Sequence, residues 1–459
     1  MPKLLASQQM VLSAQDAEDY LARLDAYGAA VDQVIATIEH DRALGVVPPD
    51  FIIERAQASL AGRSAADPAD NALATALGEK ARAAGLDAPG DWAARAAEKV
   101  REVVYPANAR LAAALDELRA EAASDAGIWR LPQGEALYRA MILHMTDTTL
   151  EPEAIHELGL SEVARITAEM DAILRAEGYV EGSVGERIAA LGAEPRFLYP
   201  NDAGGKARLL SDLNAQIDEI APLLPRWFGT VPEQTVVVRA VPPEAEGSST
   251  GGAYTVPSLD GSRPGTYWIN LRDTAIWPSY KLKTLTYHEA NPGHHLQFAV
   301  GLREDASLMS NVLFSNAFGE GWGLYAEALA HEMGLYANDP FGDLGRLQDE
   351  HWRAMRLVVD TGLHAERWTR EQAIDYMVKT SGAHPDDVRA EVERYVVWPG
   401  QALGYKIGML EIQRVRREAE SALGQRLDIR AFHDEVLRDG GAPLQLLEAR
   451  IRRWVESQQ

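Results

Sequence analysis

Three of the eleven histidines in this 459-residue chain stand in one short string, His288-Glu289-Ala290-Asn291-Pro292-Gly293-His294-His295. Neutral imidazoles are the commonest protein ligands for zinc, and a carboxylate beside the ion can take a proton from the water it activates. The spacing departs from His-Glu-x-x-His, in which one helical turn brings two imidazoles to the same ion. Pro292 occupies the position of the second histidine, and the next histidines come only at 294 and 295. On a straight helix His295 would share the face of His288 but lie ~10 Å along the axis, and His294 would point ~120° away. Neither could share an ion with His288 at ~2 Å bonds. A helical proline clashes with the carbonyl four residues earlier, here that of His288, and Gly293 can take backbone angles closed to other residues. Together they predict a kink or bulge that absorbs two residues and carries His294 to the second ligand's place. His288 and His294 are the expected ligands and Glu289 the expected general base. His295 is the alternative second ligand, or else a residue behind the ligands or against the substrate. Pro-Gly can also simply end a helix; the adjoining Glu289 favours the metal reading.

A site with two histidines needs a third protein ligand and one open position. In zinc proteins whose third ligand is glutamate, that residue comes from a following helix. The segment 318–327 offers Glu320, with Glu327 about two turns further along the same face. Small residues around Glu320 allow close helix approach. Glu320 is the expected ligand, and Glu327 is expected to orient a ligand histidine.

The remaining sequence must build a scaffold for this cluster. Acidic residues outnumber basic ones by 68 to 45, a net charge of −23, which repels nucleic acid and anionic lipid. There is no cysteine, so the metal must be held by His, Asp or Glu, and disulfides are excluded. No apolar window approaches the ~20 residues that span a bilayer, and the first residues lack a signal-peptide pattern. These features lead to the expectation of a cytoplasmic protein without nucleic-acid or membrane partners.

Helix dominates the expected fold. Apolar residues recur at helical spacing through 14–195, as in Tyr20, Leu21, Leu24, Tyr27 and Val31. Strands are expected over 235–241 and 266–271, joined by a Gly/Ser-rich loop at 246–252, before helices resume. The expected organisation is mainly α with one small sheet beside an active-site cleft. A helical region over 1–200 would cover that cleft and a catalytic region would occupy 201–459, the two forming one unit with a soft boundary. The strand at 267–271 is expected to offer an edge to an extended substrate backbone.

The strings HEANPGHHLQ, FGEGWGLYAE, RLVVDTGLH and VVWPGQALGYKIG resemble those of the bacterial domain-of-unknown-function 885 family. That family in turn resembles the gluzincin metallopeptidases and, more remotely, the helical angiotensin-converting-enzyme, thimet-oligopeptidase and thermostable-carboxypeptidase groups. The resemblance implies a large helical zincin-like architecture, one zinc ion on His288, His294 and Glu320, and Glu289 as base. It also implies a site role for His364, whose motif includes Asp360, and an oxyanion-stabilising hydroxyl at Tyr405. Lys406 or Arg394 would bind a substrate carboxylate. The implied activity is hydrolysis of oligopeptides, with removal of C-terminal residues as one form. Hydrolysis of a non-peptide amide or ester, or metal binding without catalysis, are the other readings.

Overall fold

Alanine- and leucine-rich stretches with capped ends become helices through most of this chain. The structure, a computed structural model, describes residues 5–6, 9–86, 91–242, 246, 251–258, 263–302, 315–438 and 440–459. Two compact units emerge, residues 1–125 with 130–133, and residues 126–129 with 134–459. The division falls well before residue 200, so helices expected in the N-terminal region belong to the second unit.

The first unit holds α1 (Ala14–Ala43), α2 (Asp50–Arg63), α3 (Ala72–Ala83), α4 (Trp92–Lys99) and α5 (Tyr105–Arg119), with a π-helical turn at Val100–Val104 joining the last two. Ser13 and Asp16 cap α1 reciprocally, which satisfies amide donors that have no partner inside the helix. The expected stripe of Tyr20, Leu21, Leu24, Tyr27 and Val31 is buried, against Leu77, Ala96 and Val100.

The second unit begins with α6 (Gly134–Thr146), α7 (Pro152–Ala176), α8 (Val184–Gly192) and α9 (Ala203–Ile220). A three-stranded sheet follows, β1 (Val236–Ala240), β2 (Gly252–Thr255) and β3 (Gly265–Ile269), in the order β1-β3-β2. β1 runs parallel to β3, pairing Val238 with Tyr267, and β2 runs antiparallel, pairing Tyr254 with the same residue. β3 is therefore the central strand, paired on both sides, and cannot offer the substrate edge expected of 267–271. β2 was not anticipated. Most of the expected loop at 246–252 lies outside the described residues, and its last two lead into β2. Tyr267, Ile269 and Leu271 bury their side chains against Leu209, Leu213 and Leu282, fixing the sheet to the helices on either side of it in sequence.

Helices then continue to the C-terminus: α10 (Ser279–Glu289), α11 (His294–Gly301), α12 (Asn316–Glu332), α13 (Pro340–His364), α14 (Arg370–Ser381), α15 (Pro385–Val397), α16 (Gly404–Leu423), α17 (Ile429–Leu437) and α18 (Leu444–Gln458). Two long pairings organise this part. α13 lies along α7, burying Ile166, Met170, Met355 and Val358, and α12 lies along α16. Among the described residues no helix is long and apolar enough to cross a membrane.

Candidate metal centre

The histidine string does not form a bulged helix. α10 ends at Glu289, residues 290–293 make a turn, and α11 starts afresh at His294. The turn folds back tightly on α10, because a side chain at Gly293 would collide with the carbonyl oxygens of Tyr287 and His288. The Trp322 indole donates to the Pro292 carbonyl at 2.9 Å and holds the turn to α12. A break followed by a new helix thus does what the expected kink was to do, since it brings His294 back beside His288, their rings 4.7 Å apart and nearly perpendicular.

His288 Nδ1 meets Glu327 Oε1 at 2.7 Å, and His294 Nδ1 meets Gln297 Oε1 at 3.3 Å. Donation of both Nδ1 protons leaves both Nε2 lone pairs available. Both Nε2 atoms face one oxygen, Glu320 Oε2, at 3.6 Å from His288 and 3.5 Å from His294. The three candidate ligand atoms lie within 4.8 Å of one another. Tetrahedral ligands at ~2.0–2.1 Å bonds sit ~3.4 Å apart, so the donor set suits one divalent ion. His288, Glu289, His294 and Glu327 are buried and Glu320 nearly so. Burial would push the His288 imidazolium down, but the neighbouring carboxylates of Glu320 and Glu327 outweigh it and raise it to about 10. Burial works against Glu320 ionising too, yet the two histidines hold its carboxyl well below the usual range. A cation of either kind, proton or metal, is thus strongly favoured between these groups.

Glycines set the close approach of the helices that carry these ligands. A Cβ on Gly323 would lie 2.6 Å from His288 Cε1, so the imidazole rests directly against the backbone of α12. A Cβ on Gly321 would meet Gly408 Cα of α16 at 2.5 Å, so those two helices touch backbone to backbone. Glu289 is buried, and burial raises its carboxyl above the ordinary value against the pull of His288 and His294. A Cβ on Gly252 would stand 3.3 Å from Glu289 Oε1, so this carboxylate faces the start of β2. The Tyr405 ring stacks on His288 at 6.4 Å, and its phenol is raised to about 12 by burial and then by the charge of Glu320. No hydrogen-bond partner of its hydroxyl is found among the described residues.

The other expected site residues lie elsewhere. His295 points away to the sheet: Tyr254 Oη lies 2.8 Å from its Nδ1 and the Gln234 carbonyl 2.8 Å from its Nε2. With both nitrogens engaged, it ties α11 to the strands. His364 Nδ1 accepts from the Ile128 amide at 3.0 Å, which leaves the proton on Nε2 to be donated to the Tyr395 carbonyl at 3.1 Å. Asp360 accepts from Tyr138 Oη at 2.7 Å and from the Gly400 amide at 3.1 Å. Lys406 is fully buried and ion-paired to Glu350 at 2.6 Å and Glu162 at 2.8 Å, a lock between α7, α13 and α16. Arg394 is paired with Glu391 at 2.9 Å and bonded to Gln401. These five are members of internal networks, not of the triad. Gln297 and Gly323 escaped the sequence reading. Gln297, at helical spacing from His294, carried a signal that was available; the position of Gly323 under His288 depends on the helix pairing and carried none.

The sequence matches, over residues 1–451, the family described as bacterial protein of unknown function (DUF885). The chain belongs to the DUF885 family. This DUF885 protein is 43% identical to a protein of Colwellia psychrerythraea described as a lipoprotein, whose crystal structure it matches with a TM-score of 0.97 over 99% of this chain and 79% of that one. A Shewanella oneidensis protein, described as a lipoprotein of unknown function, shares the fold at 19% identity, with a TM-score of 0.66 over 98% of this chain and 80% of that one. Curated proteins give no match.

Proposed function

We propose that this DUF885 protein is a zinc-dependent peptidase of gluzincin-like architecture that hydrolyses peptide bonds of oligopeptides. One observation carries the reading. Two histidines, each oriented by a hydrogen bond to its far nitrogen, face a single glutamate oxygen, with a second, buried glutamate directly following the first ligand. A structural metal site has no use for such a neighbour. Held by His288, His294 and Glu320, a zinc ion would supply Lewis acidity that polarises a carbonyl and acidifies a water.

The protein's own groups do the rest. Glu289 takes the proton of the attacking water on its carboxylate and passes it to the leaving nitrogen; burial, which raises its carboxyl, helps it hold that proton in between. The Tyr405 hydroxyl donates a hydrogen bond to the carbonyl oxygen as charge develops there. Glu327 fixes the tautomer and orientation of His288, and Gln297 those of His294.

The reading is tested by incubating metal-loaded protein with a random peptide mixture and identifying products by mass spectrometry. Cleavage should be abolished by a chelator and restored by zinc. Glu289→Gln should keep its ion and lose at least ~100-fold in turnover, in line with general acid–base contributions. Chelator-sensitive cleavage of small amides or esters but not of peptides would select the non-peptide hydrolase. Bound zinc without any turnover would select the inactive metal-binding protein. The lipoprotein descriptions of the two relatives set an extracytoplasmic location against the cytoplasmic one expected from the sequence, and cell fractionation distinguishes them.

A further inference from the structure

Beside the triad, against the ring of Tyr405, lies a cationic cluster that the proposed chemistry does not use. Arg353 and Arg356, one turn apart on α13, place their guanidinium carbons 5.8 and 4.5 Å from the centre of the Tyr405 ring. Their acceptors are few. Arg353 Nη1 bonds the Asp349 backbone and carboxylate, both at 3.2 Å, and its Nη2 is 3.9 Å from Glu327, which is already bonded to His288. Arg356 donates from Nε to Tyr395 Oη at 3.1 Å and from Nη2 to Glu391 at 3.1 Å. Glu391 is shared, since Arg394 reaches the same oxygen at 2.9 Å and Tyr395 donates to it at 2.9 Å. One carboxylate therefore answers two guanidinium groups. Arg353 Nε and Arg356 Nη1 are buried with no acceptor among the described residues. A buried charged donor without a partner is costly, and proteins keep such groups where a ligand completes them.

We propose that Arg356, supported by Arg353, binds a carboxylate of the substrate, foremost the free C-terminal carboxylate of a peptide. This rests on the hydrolase reading above and gives it a substrate class. The guanidinium fork matches a carboxylate in two hydrogen bonds. The spacing suits it as well. The Tyr405 ring lies 6.4 Å from the His288 ring and 4.5 Å from the Arg356 carbon, so those two groups stand at most about 11 Å apart. After the reach of the ligands at each end, a span no longer than that leaves room for at most one or two extended residues at ~3.3–3.6 Å each. The scissile carbonyl would sit at the triad and the carboxylate at Arg356, with one or two residues released. Arg356 Nη1 is buried, and the centre of the Tyr405 ring lies 4.5 Å from the guanidinium carbon. Lys406 and Arg394, the cations first expected in this role, are held by carboxylates of their own.

The experiment compares three acetylated tripeptides: one with a free C-terminus, its C-terminal amide, and an amide carrying an internal glutamate. Binding is measured by titration calorimetry on the zinc-loaded Glu289→Gln protein, which needs no turnover, and kcat/KM is measured on the unsubstituted enzyme. The free acid should bind at least 10-fold tighter than its amide and be cleaved at least 10-fold faster. Arg356→Gln should erase the difference, and Arg356→Lys should retain part of it. Tight binding of the glutamate-bearing amide as well would assign the site to carboxylates in general. Equal affinity for acid and amide, or no measurable binding of either, overturns the proposal whether or not any peptide is cleaved. Absence of cleavage together with a preserved preference for the acid would remove the peptidase reading and leave the carboxylate site standing. Because the acid–amide comparison uses protein with Arg356 intact, a poorly folding Arg356 variant does not blunt it.

Discussion

Replacing Gly323 by alanine isolates the metal-binding geometry from everything else in the protein. The added Cβ would lie 2.6 Å from His288 Cε1, 2.8 Å from Nε2 and 2.9 Å from Nδ1. Carbon contacts settle near ~3.5–4.0 Å, so the ring must retreat by about 1 Å or α12 must shift by as much. Metal–ligand bonds tolerate only about 0.2 Å, so the His288 contribution is lost. Disturbing residues behind a ligand costs ~10–100-fold in metal affinity; displacing the ligand itself should cost at least ~100-fold. Folding should suffer little. Alanine is favoured over glycine in a helix by ~1 kcal/mol, which offsets much of the ~1–3 kcal/mol cost of overpacking. The assay is zinc content by elemental mass spectrometry, chelator competition for affinity, and a circular-dichroism melt. Gly62→Ala is the matched control, because nothing lies within 4 Å of the Cβ it would add on α2; it should bind metal normally and melt no lower. A Gly323→Ala protein that keeps one equivalent of zinc with unchanged affinity would refute the assignment of His288 as ligand.

Three further outcomes follow from the same geometry. His294→Ala should lose the ion, whereas His295→Ala should keep it and lose ~1–3 kcal/mol of stability in urea denaturation, through the orphaned Tyr254 hydroxyl and Gln234 carbonyl; zinc content in the reverse order would exchange their roles. Lys406→Met breaks a fully buried pairing with Glu350 and Glu162 and should cost ~3–5 kcal/mol of stability; a raised KM at unchanged stability would instead mark Lys406 as a substrate contact. Burial raises Asp360 to about 7 from 3.8, so the folded chain holds a proton that the unfolded chain releases between those values. Its contribution to stability is complete below pH 3.8 and is lost as pH rises through 7. The melting temperature of the unsubstituted protein should therefore fall more steeply from pH 4 to 8 than that of Asp360→Asn, and parallel profiles would exclude the shift.

Local chemistry was legible in the sequence where residues act near their neighbours in the chain. The helical stripe of α1, two of the three strands, and the gathering of His288, His294 and Glu320 into one candidate metal site could be read from spacing and residue type. The mechanism of the histidine approach could not, because both a bulge and a break suit Pro292-Gly293; tertiary contacts from Trp322 favour the break. Arg356, Asp360 and His364 share a period of one turn on α13, and periodicity suggests one shared role. In fact Arg356 and His364 both reach Tyr395 of α15, at its hydroxyl and its carbonyl, while Asp360 faces Tyr138 and the turn before α16. Lys406 failed for a related reason. A lysine beside a candidate catalytic tyrosine reads as a substrate contact, but its carboxylate partners are far away in sequence and come together only when α7, α13 and α16 assemble.

The Gly321–Gly408 contact joins the segment bearing Glu320 to the segment bearing Tyr405 through peptide atoms alone. Main-chain atoms have no rotamers to exchange, so the spacing of the two helix backbones that carry this carboxylate and this phenol does not drift as surrounding side chains hop or are substituted. Variation elsewhere in α12 and α16 can then alter the surroundings of the two groups while the distance between their supporting helices stays the same. Any residue larger than glycine at either position would push the two helices, and the groups they carry, apart.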